Sequence, residues 1–487
     1  MMQYKKSNRL TGNLNLKLVS LAVAAALLSG CQSIWPDYAR PKLDVPAQYS
    51  EPANQAADAN SQVSNTWWTL YQDPILNDLV AKALQNNTDI KLAAARVEEA
   101  DAVMREVGAA LFPKVDLDAA GTRSRVTEAG AFPAFGDNPR NNYIAKLGTS
   151  FEIDFWGKLR RAKESARAQA LSTRYAKDTV ALSLSGLVAS TYLVLRSVES
   201  QIAITQDNLK SRDDSLALTK RRLEGGVASA LDVHQAEVAS ANLSAQLAEL
   251  TRLRAISLHQ LAVLTGALDL NVAVADIKAL PIPPTPPAGL PSSLLEARPD
   301  VRQAEEQMVA ANANIGVAKA ALYPTISLTA SLGGESLELG DILKSAARIW
   351  TGGLSLSLPI FDSGRLNSKV DQASAKQKQA LASYEAAVQN AFTEVNDALV
   401  NLRQNTEREA ALDRGQIAAK KALAVSENRY QSGYSAYLDV LDAQRVYNDT
   451  ALAFIQSRQA RLVATVDLFK ALGGGWRAEA EKPITVK

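Results

Sequence analysis

Residues 222–233 read RLEGGVASALDV, and residues 429–440 read RYQSGYSAYLDV, 207 positions further along the chain. Long stretches with helical periodicity flank both copies. In each copy the central glycine is typical of a left-handed helix end, and the Leu-Asp pair after it is typical of the next helix start. The sequence therefore predicts two matching helical hairpins, with tips near 226–233 and 433–442.

The helices on either side of these tips are predicted to be very long. Helical periodicity from about Leu159 to Glu224 corresponds to a helix on the order of 100 Å at ~1.5 Å per residue. An earlier helical run extends from the start signal Asp73-Pro74 to Leu111. The apolar positions of the long helix predict one buried stripe. Its members are Val180, Leu184, Leu187, Val188, Thr191 and Leu195.

Each half of the chain also contains a segment whose apolar residues alternate, as in a strand. The segments 113–156 and 324–361 follow Phe-Pro and Tyr-Pro pairs, and each predicts a β-hairpin with strands of about ten residues, enough to cross a membrane in a barrel. One face of these strands is apolar and the other is polar, and we expect the loops around 132–141 and 334–345 to face the exterior. The alternative is a soluble β-sandwich whose apolar faces pack together.

The N-terminus has the features of an export signal. The first 30 residues combine a basic start with an apolar run from Leu18 to Leu28, which is too short to span a bilayer. The run ends in Leu-Ser-Gly-Cys31, which resembles a bacterial lipobox, so we predict that the signal is removed and that Cys31 is acylated. An ordinary signal peptide with an incidental cysteine is the alternative.

These features divide the chain into six parts. They are a signal peptide (1–30), an extended tether (31–66), a first repeat (67–280), a Pro-rich linker (281–293), a second repeat (294–475) and a C-terminal tail (476–487). The repeat of helix, β-hairpin and helical hairpin predicts an internal two-fold organisation.

Composition argues against several classes of function. The formal charge is only +2, and four basic residues lie in the predicted signal, so the mature chain offers no basic surface for nucleic acid. Cys31 is the only cysteine, which rules out an internal disulfide. His234 and His259 lack a spaced acidic or cysteine partner, so the sequence predicts no metal, no cofactor and no enzyme activity.

The predicted strands imply an assembly. Four strands cannot close into a barrel, because about eight are needed, and an open edge in lipid would leave backbone groups without hydrogen bonds. We therefore expect several copies to share one barrel, with the polar face lining its lumen. The apolar face would contact lipid, with Tyr143, Phe151, Phe155 and Trp350 as candidate aromatic residues at the membrane interface.

The pattern as a whole resembles the outer-membrane efflux family, the TolC-like channel tunnels, and within it the lipoprotein branch that serves resistance-nodulation-division pumps. The resemblance rests on Cys31, on the Pro-containing strand starts, on the strand exits at 155–157 and 361–365, and on the two tips. It implies an α+β membrane protein: a homotrimer in the outer membrane with a twelve-stranded barrel, continued by a tunnel of coiled helical hairpins in the periplasm. It also implies an exit duct for small molecules such as drugs, working with a periplasmic adaptor (membrane fusion) protein and an inner-membrane pump.

The resemblance also assigns roles to the tips. In the second copy, Leu438 would be an apolar plug of a periplasmic gate, Asp442 would form a ring of carboxylates and Arg445 would anchor the closed state. The residues expected to contact the adaptor are Gly226, Leu231, Asp232, Val233, Gly433, Leu438, Asp439 and Val440. Two simpler interpretations stay open. Asp442 and Arg445 could form an ordinary surface pair, and Asp232 and Asp439 could be helix caps.

Other functions remain compatible with the sequence. The same channel architecture could serve type I protein secretion or metal export. A structural coiled-coil lipoprotein without a channel is a further alternative, although it would not require the alternating strands.

Overall fold

The computed structural model describes residues 37–43, 46, 48–49, 64–130, 136–286 and 294–476. The predicted signal peptide and most of the tether and C-terminal tail, including Cys31, lie outside these residues. In chain order the helices and strands are α1 (Pro74–Asn86), α2 (Thr88–Ala109), β1 (Lys114–Ser124), β2 (Arg140–Ile153), α3 (Lys158–Glu224), α4 (Ala230–Thr265), α5 (Leu294–Ala297), α6 (Pro299–Ala320), β3 (Thr325–Ser336), β4 (Arg348–Ser357), α7 (Arg365–Gln431) and α8 (Tyr437–Ala471).

The four strands form one antiparallel sheet in the order β1-β2-β3-β4. In its register Leu117 lies opposite Leu147, Leu147 opposite Leu332, and Leu332 opposite Trp350. Because paired residues share a face of the sheet, the apolar positions of all four strands lie on one continuous face. The alternation predicted from sequence is confirmed. The described strands do not form the two packed sheets of the alternative sandwich.

The chain folds into two compact units, and each takes segments from both repeats. One unit comprises the described residues within 37–42, 99–170 and 306–382, and it contains the sheet. The other comprises the described residues within 43–98, 171–305 and 383–476, and it is helical. Neither unit coincides with one sequence repeat, because corresponding helices and strands of the two halves pack against each other.

The core of the helical unit is built around aromatic side chains. Trp67 is fully buried and stacks on Phe469, with ring centroids 5.5 Å apart. The hydroxyl of Tyr71 donates to the carbonyl oxygen of Leu462 at 3.2 Å. These contacts join the start of the first repeat to the return helix of the second.

The predicted stripe on α3 needs one correction. Its members Leu184, Val188 and Leu195 are buried in this core, but Leu187 is 54% exposed. Tyr192 and Leu193 are fully buried. The stripe therefore follows positions 184, 188, 192 and 195, and Leu187 lies at its edge, about 60° around the helix from Leu184. Leu193 lies on the opposite side of α3 from Leu184, so the helix is covered on two sides here.

The predicted helix from residue 74 to 111 is also divided in the structure. Asn87 ends α1 with an extended ψ of 138°. Its side-chain oxygen accepts a hydrogen bond from the backbone N–H of Asp89 at 2.8 Å, and its amide donates to the carbonyl oxygen of Leu264 at 3.0 Å. A buried asparagine that caps α2 and ties it to α4 thus favours the break over a continuous helix.

Candidate functional site

The two helical hairpins turn at the glycines that the sequence singles out. Gly226 has φ = 74° and Gly433 has φ = 80°, both in the left-handed region. The backbone N–H of Val227 donates to the carbonyl oxygen of Arg222 at 2.9 Å, and that of Tyr434 donates to Arg429 at 2.8 Å. These six-to-one bonds are the helix-ending motif in which glycine avoids the steric cost of positive φ.

The first tip begins its return helix with a capping box. The backbone N–H of Asp232 donates to the hydroxyl oxygen of Ser229 at 3.2 Å, and the Asp232 carboxylate accepts from the backbone N–H of Ser229 at 2.9 Å. This arrangement satisfies two backbone donors that the first turn would otherwise leave without partners. The interpretation of Asp232 as part of a helix cap is therefore confirmed.

The second tip lacks this cap. Ala436 occupies the N-cap position, where no side chain accepts a hydrogen bond, although Asp439 lies in the first turn of α8. The hydroxyl of the neighbouring Ser435 is buried without a partner in the described part of the chain. The interpretation of Asp439 as a cap is wrong for the described structure, where no hydrogen bond joins its carboxylate to the backbone at the start of α8. Alanine at position 436 also removes the hydroxyl that serine supplies in the first copy.

This difference gives a measurable prediction. Replacing Ser229 with alanine should destabilise the first turn of α4 by about 1 kcal/mol, because a backbone donor loses its acceptor. Ala436→Ser should stabilise the first turn of α8 by a similar amount. Hydrogen exchange of the amides in these two turns measures both effects, and equal exchange in all variants would show that the caps are energetically unimportant.

The side chains expected at the tips divide into exposed and buried ones. Leu231 is 64% exposed and Leu438 is 60% exposed, so both are accessible on the chain surface. Val233 and Val440 are buried at 7% and 2% exposure. Val440 packs within the chain against Tyr437 and Ala236. The contact of Val233 and Val440 with an adaptor stays a prediction.

Contacts between the two hairpins lie directly behind the tips. The guanidinium of Arg222 lies 4.5 Å from the ring centroid of Tyr430, and that ring lies 5.3 Å from the ring of Tyr437. Burial raises the pKa of the Tyr437 phenol above its ordinary value. Sequence reasoning missed these contacts. One feature of the sequence could have indicated them: the second copy has tyrosines at 430 and 437, where the first copy has Leu223 and Ala230.

One face of α8 carries the residues expected to form a gate. Leu438, Asp442, Arg445 and Asp449 follow one another at helical spacing. The guanidinium of Arg445 donates to the Asp442 carboxylate at 2.8 Å and lies 3.5 Å from the Asp449 carboxylate. The hydrogen bond with Asp442 raises the pKa of Arg445. The side chains of Asp442 and Arg445 are 64% and 63% exposed, so both the gate and the surface pair remain compatible with this geometry.

A cleft of about 420 Å³ lies beside the second tip, between α7 and α8. Cationic Lys421 and Arg429, the hydroxyls of Ser426 and Ser435, and the Asp439 carboxylate line it. Neither serine hydroxyl has a hydrogen-bond partner among the described residues. The cleft thus combines charged side chains of both signs with two serine hydroxyls that make no hydrogen bond among the described residues.

The exposed His234 lies on α4, close to the first tip. The sequence predicts no acidic partner for His234, but its Nδ1 lies 3.2 Å from the carboxylate of Glu237, three residues further along the helix. Within the described ranges no three His, Cys, Asp or Glu side chains converge.

Known proteins share both the sequence and the fold. The model of the outer membrane efflux protein family matches residues 79–267 and 290–474. The antibiotic efflux pump outer membrane protein ArpC of Pseudomonas putida is 36% identical over 472 residues, covering 94% of this chain and 96% of ArpC. The cation efflux system protein CusC of Escherichia coli O6:H1 is 32% identical over 465 residues, covering 95% of this chain and 99% of CusC.

A solved structure extends the agreement to three dimensions. The open state of the Neisseria gonorrhoeae MtrE outer membrane channel superposes with a TM-score of 0.83 at 30% identity, covering 92% of this chain and all of the MtrE chain. The match includes both repeats, with their strands and helical hairpins. It is a likeness to efflux channels rather than to enzymes. Both repeats, the four-stranded sheet and the two hairpin tips show that this chain belongs to the outer membrane efflux protein family.

Proposed function

We propose that this outer-membrane efflux protein is the exit duct of a tripartite pump, which passes small molecules such as drugs from an inner-membrane pump and a periplasmic adaptor to the exterior. The observation that carries the proposal is the sheet, with one apolar face and two edges, β1 and β4, that pair on only one side within the described chain. Efflux-family membership favours this duct over a coiled-coil lipoprotein without a channel.

The duct requires a homotrimer. Three copies with four strands each would give a twelve-stranded barrel, in which β4 of one copy pairs with β1 of the next. Closing the barrel satisfies the backbone groups of both edges, which lipid cannot do. Acylation of Cys31 would hold the N-terminus at the inner leaflet of the same membrane, with the helices in the periplasm.

The tips are the proposed contact surface for the adaptor. Leu231 and Leu438 supply exposed apolar contacts, and Gly226 and Gly433 leave open space where other residues would carry a side chain. The cleft beside the second tip adds charged and hydrogen-bonding groups, including Asp439. Because Asp232 is held in its capping box, the second tip offers the more adaptable polar surface.

The architecture of the duct does not determine which substances pass through it. Relatives are named for export of antibiotics, toluene and cations, so one architecture serves different cargoes. We propose that selection lies mainly in the pump. Protein secretion and metal export are the alternatives that share this architecture.

The mass of the unheated, detergent-extracted protein from the outer-membrane fraction tests the assembly. The proposal requires a species of about three chain masses that dissociates on heating. A monomer released from membranes by a salt wash would show that the strands do not span lipid, and the duct would be abandoned.

A further inference from the structure

The apolar face of the sheet carries a charge pattern that the duct alone does not explain. Among the described strand residues, the charged side chains on the opposite, polar face are Lys114, Asp116, Asp118, Arg140, Lys146, Glu152 and Glu335. The apolar face has only two charged side chains, Arg123 and Arg348. Both are exposed, and the structure shows no ion pair for either within the residues it describes.

The register places both arginines at the same end of the sheet. Arg123 is the last but one residue of β1, and Arg348 is the first residue of β4. In the proposed duct the helices that precede β1 and follow β4 are periplasmic, so this end faces the exterior. An arginine on the lipid face is strongly destabilising at the bilayer midplane but nearly neutral close to the membrane surface. The two positions therefore correspond to the outer-leaflet headgroup region.

The stagger of the strands brings the two residues to one membrane depth. Across the sheet, Arg348 lies level with Gly334, Ala145 and Ala119, four positions before Arg123. At the other end of the sheet, Lys114 of β1 lies level with Gly353 of β4. Gly353 is again four positions away from the last residue of β4, Ser357. Four residues correspond to about 14 Å along a strand, and three strand spacings to about 14 Å across the sheet. The line through the strand ends is therefore inclined, at both ends of the sheet, by roughly 35–45° to the direction perpendicular to the strands. This is the angle at which barrel strands tilt, so each line of strand ends would lie parallel to the membrane plane.

The arginines also lie on the two edge strands, which face each other in the shared barrel. Adjacent strands are about 4.8 Å apart, so Arg348 of one copy would lie roughly 5–10 Å from Arg123 of the adjacent copy. Neither arginine has an acidic neighbour on its own face of the sheet. Trp350, two residues from Arg348 on the same face, is 79% exposed and offers an aromatic surface at this depth.

We propose that Arg348 and Arg123 of the adjacent copy form a binding site, repeated at each seam of the trimer, for the phosphate group of an anionic lipid of the outer leaflet. Guanidinium groups bind phosphate oxygens in bidentate fashion, and two of them can share one phosphate. The site would link neighbouring copies through the lipid. This inference rests on the shared barrel of the proposed function.

The test measures phosphorylated lipid that is retained by the detergent-extracted trimer, by native mass spectrometry. The double variant Arg123→Gln with Arg348→Gln should retain at least fivefold less than the wild-type protein. The matched control is Arg140→Gln, which removes an arginine at the same end of the sheet but on the polar face, and it should retain lipid normally. Equal retention by all three proteins, or equal loss in the Arg140 control, would overturn the site.

A second arm does not depend on the variants. In this arm the lipid phosphates are removed enzymatically before extraction, and the amount of the dephosphorylated lipid retained by the wild-type trimer is measured. It should fall to the amount of lipid that the double variant retains. An unchanged amount would exclude phosphate recognition. A wild-type protein that is monomeric would contradict the shared barrel itself. A stable trimer with no arginine-dependent retention would contradict only the lipid site.

Discussion

Replacing Glu409 with alanine should lower the free energy of unfolding of the helical unit by about 3–5 kcal/mol, because two arginines would lose their shared counter-ion in a largely buried position. The Glu409 carboxylate lies 2.9 Å from the guanidinium of Arg458 and 2.9 Å from that of Arg461. Its side chain is only 7% exposed. Arg458 also donates to the carbonyl oxygen of Leu280 at 2.7 Å, so the cluster joins α7, α8 and the end of the first repeat.

Glu407→Ala is the matched control, since it removes a glutamate two residues away on the same helix. Glu407 lies 3.7 Å from Arg403 and is 63% exposed, so its loss should cost less than about 1 kcal/mol. Denaturant titration of the helical circular dichroism signal compares the variants. Similar midpoints for the two would show that the Glu409 cluster is no more valuable than a surface pair.

How far the sequence could predict this structure depends on whether a feature is local. The alternation of apolar and polar residues between 114 and 124 predicts which side chains share a face of the strand. The structure confirms the strands and their apolar face. The tips were equally predictable, because a left-handed glycine between two helical runs is determined by a few neighbouring residues. The break at Asn87 was missed, since its side chain bonds to Leu264, 177 residues away.

Contacts between distant helices were beyond sequence reasoning. Periodicity predicts that a helix has a buried face, but it does not identify the helix that covers that face. The Glu409 cluster and the packing of Arg222 on Tyr430 both depend on which helices pack together. The same limit explains Val440, which the resemblance placed at a contact surface and which packs inside the chain.

The gate hypothesis makes the largest functional prediction: Asp442→Ala should raise the single-channel open probability of the reconstituted trimer about fivefold or more. On the gate hypothesis, the bond of Arg445 to Asp442 and its proximity to Asp449 stabilise the closed state by more than the mutual repulsion of three Asp442 carboxylates near one axis destabilises it. Removing the carboxylate breaks the contact that would hold the closed state. Planar-bilayer conductance and entry of a large antibiotic into intact cells measure the effect.

The matched control comes from the internal repeat, where Gln235 stands at the position that corresponds to Asp442. Gln235→Ala should leave the conductance unchanged if only the second hairpin carries the gate. Unchanged conductance in Asp442→Ala would instead favour the ordinary surface pair, worth only tenths of a kcal/mol.

Ionic strength separates the two interpretations further. Because Asp442 and Arg445 are exposed in the chain, salt should screen their attraction, with a Debye length of about 10 Å at 0.1 M and about 3 Å at 1 M. A wild-type channel closed by this contact should therefore open more often at 1 M salt, while Asp442→Ala should show little further change. If both proteins respond equally to salt, the contact does not control opening, and the closed state must depend on the apolar plug at Leu438 or on the packing between hairpins at Tyr430 and Tyr437.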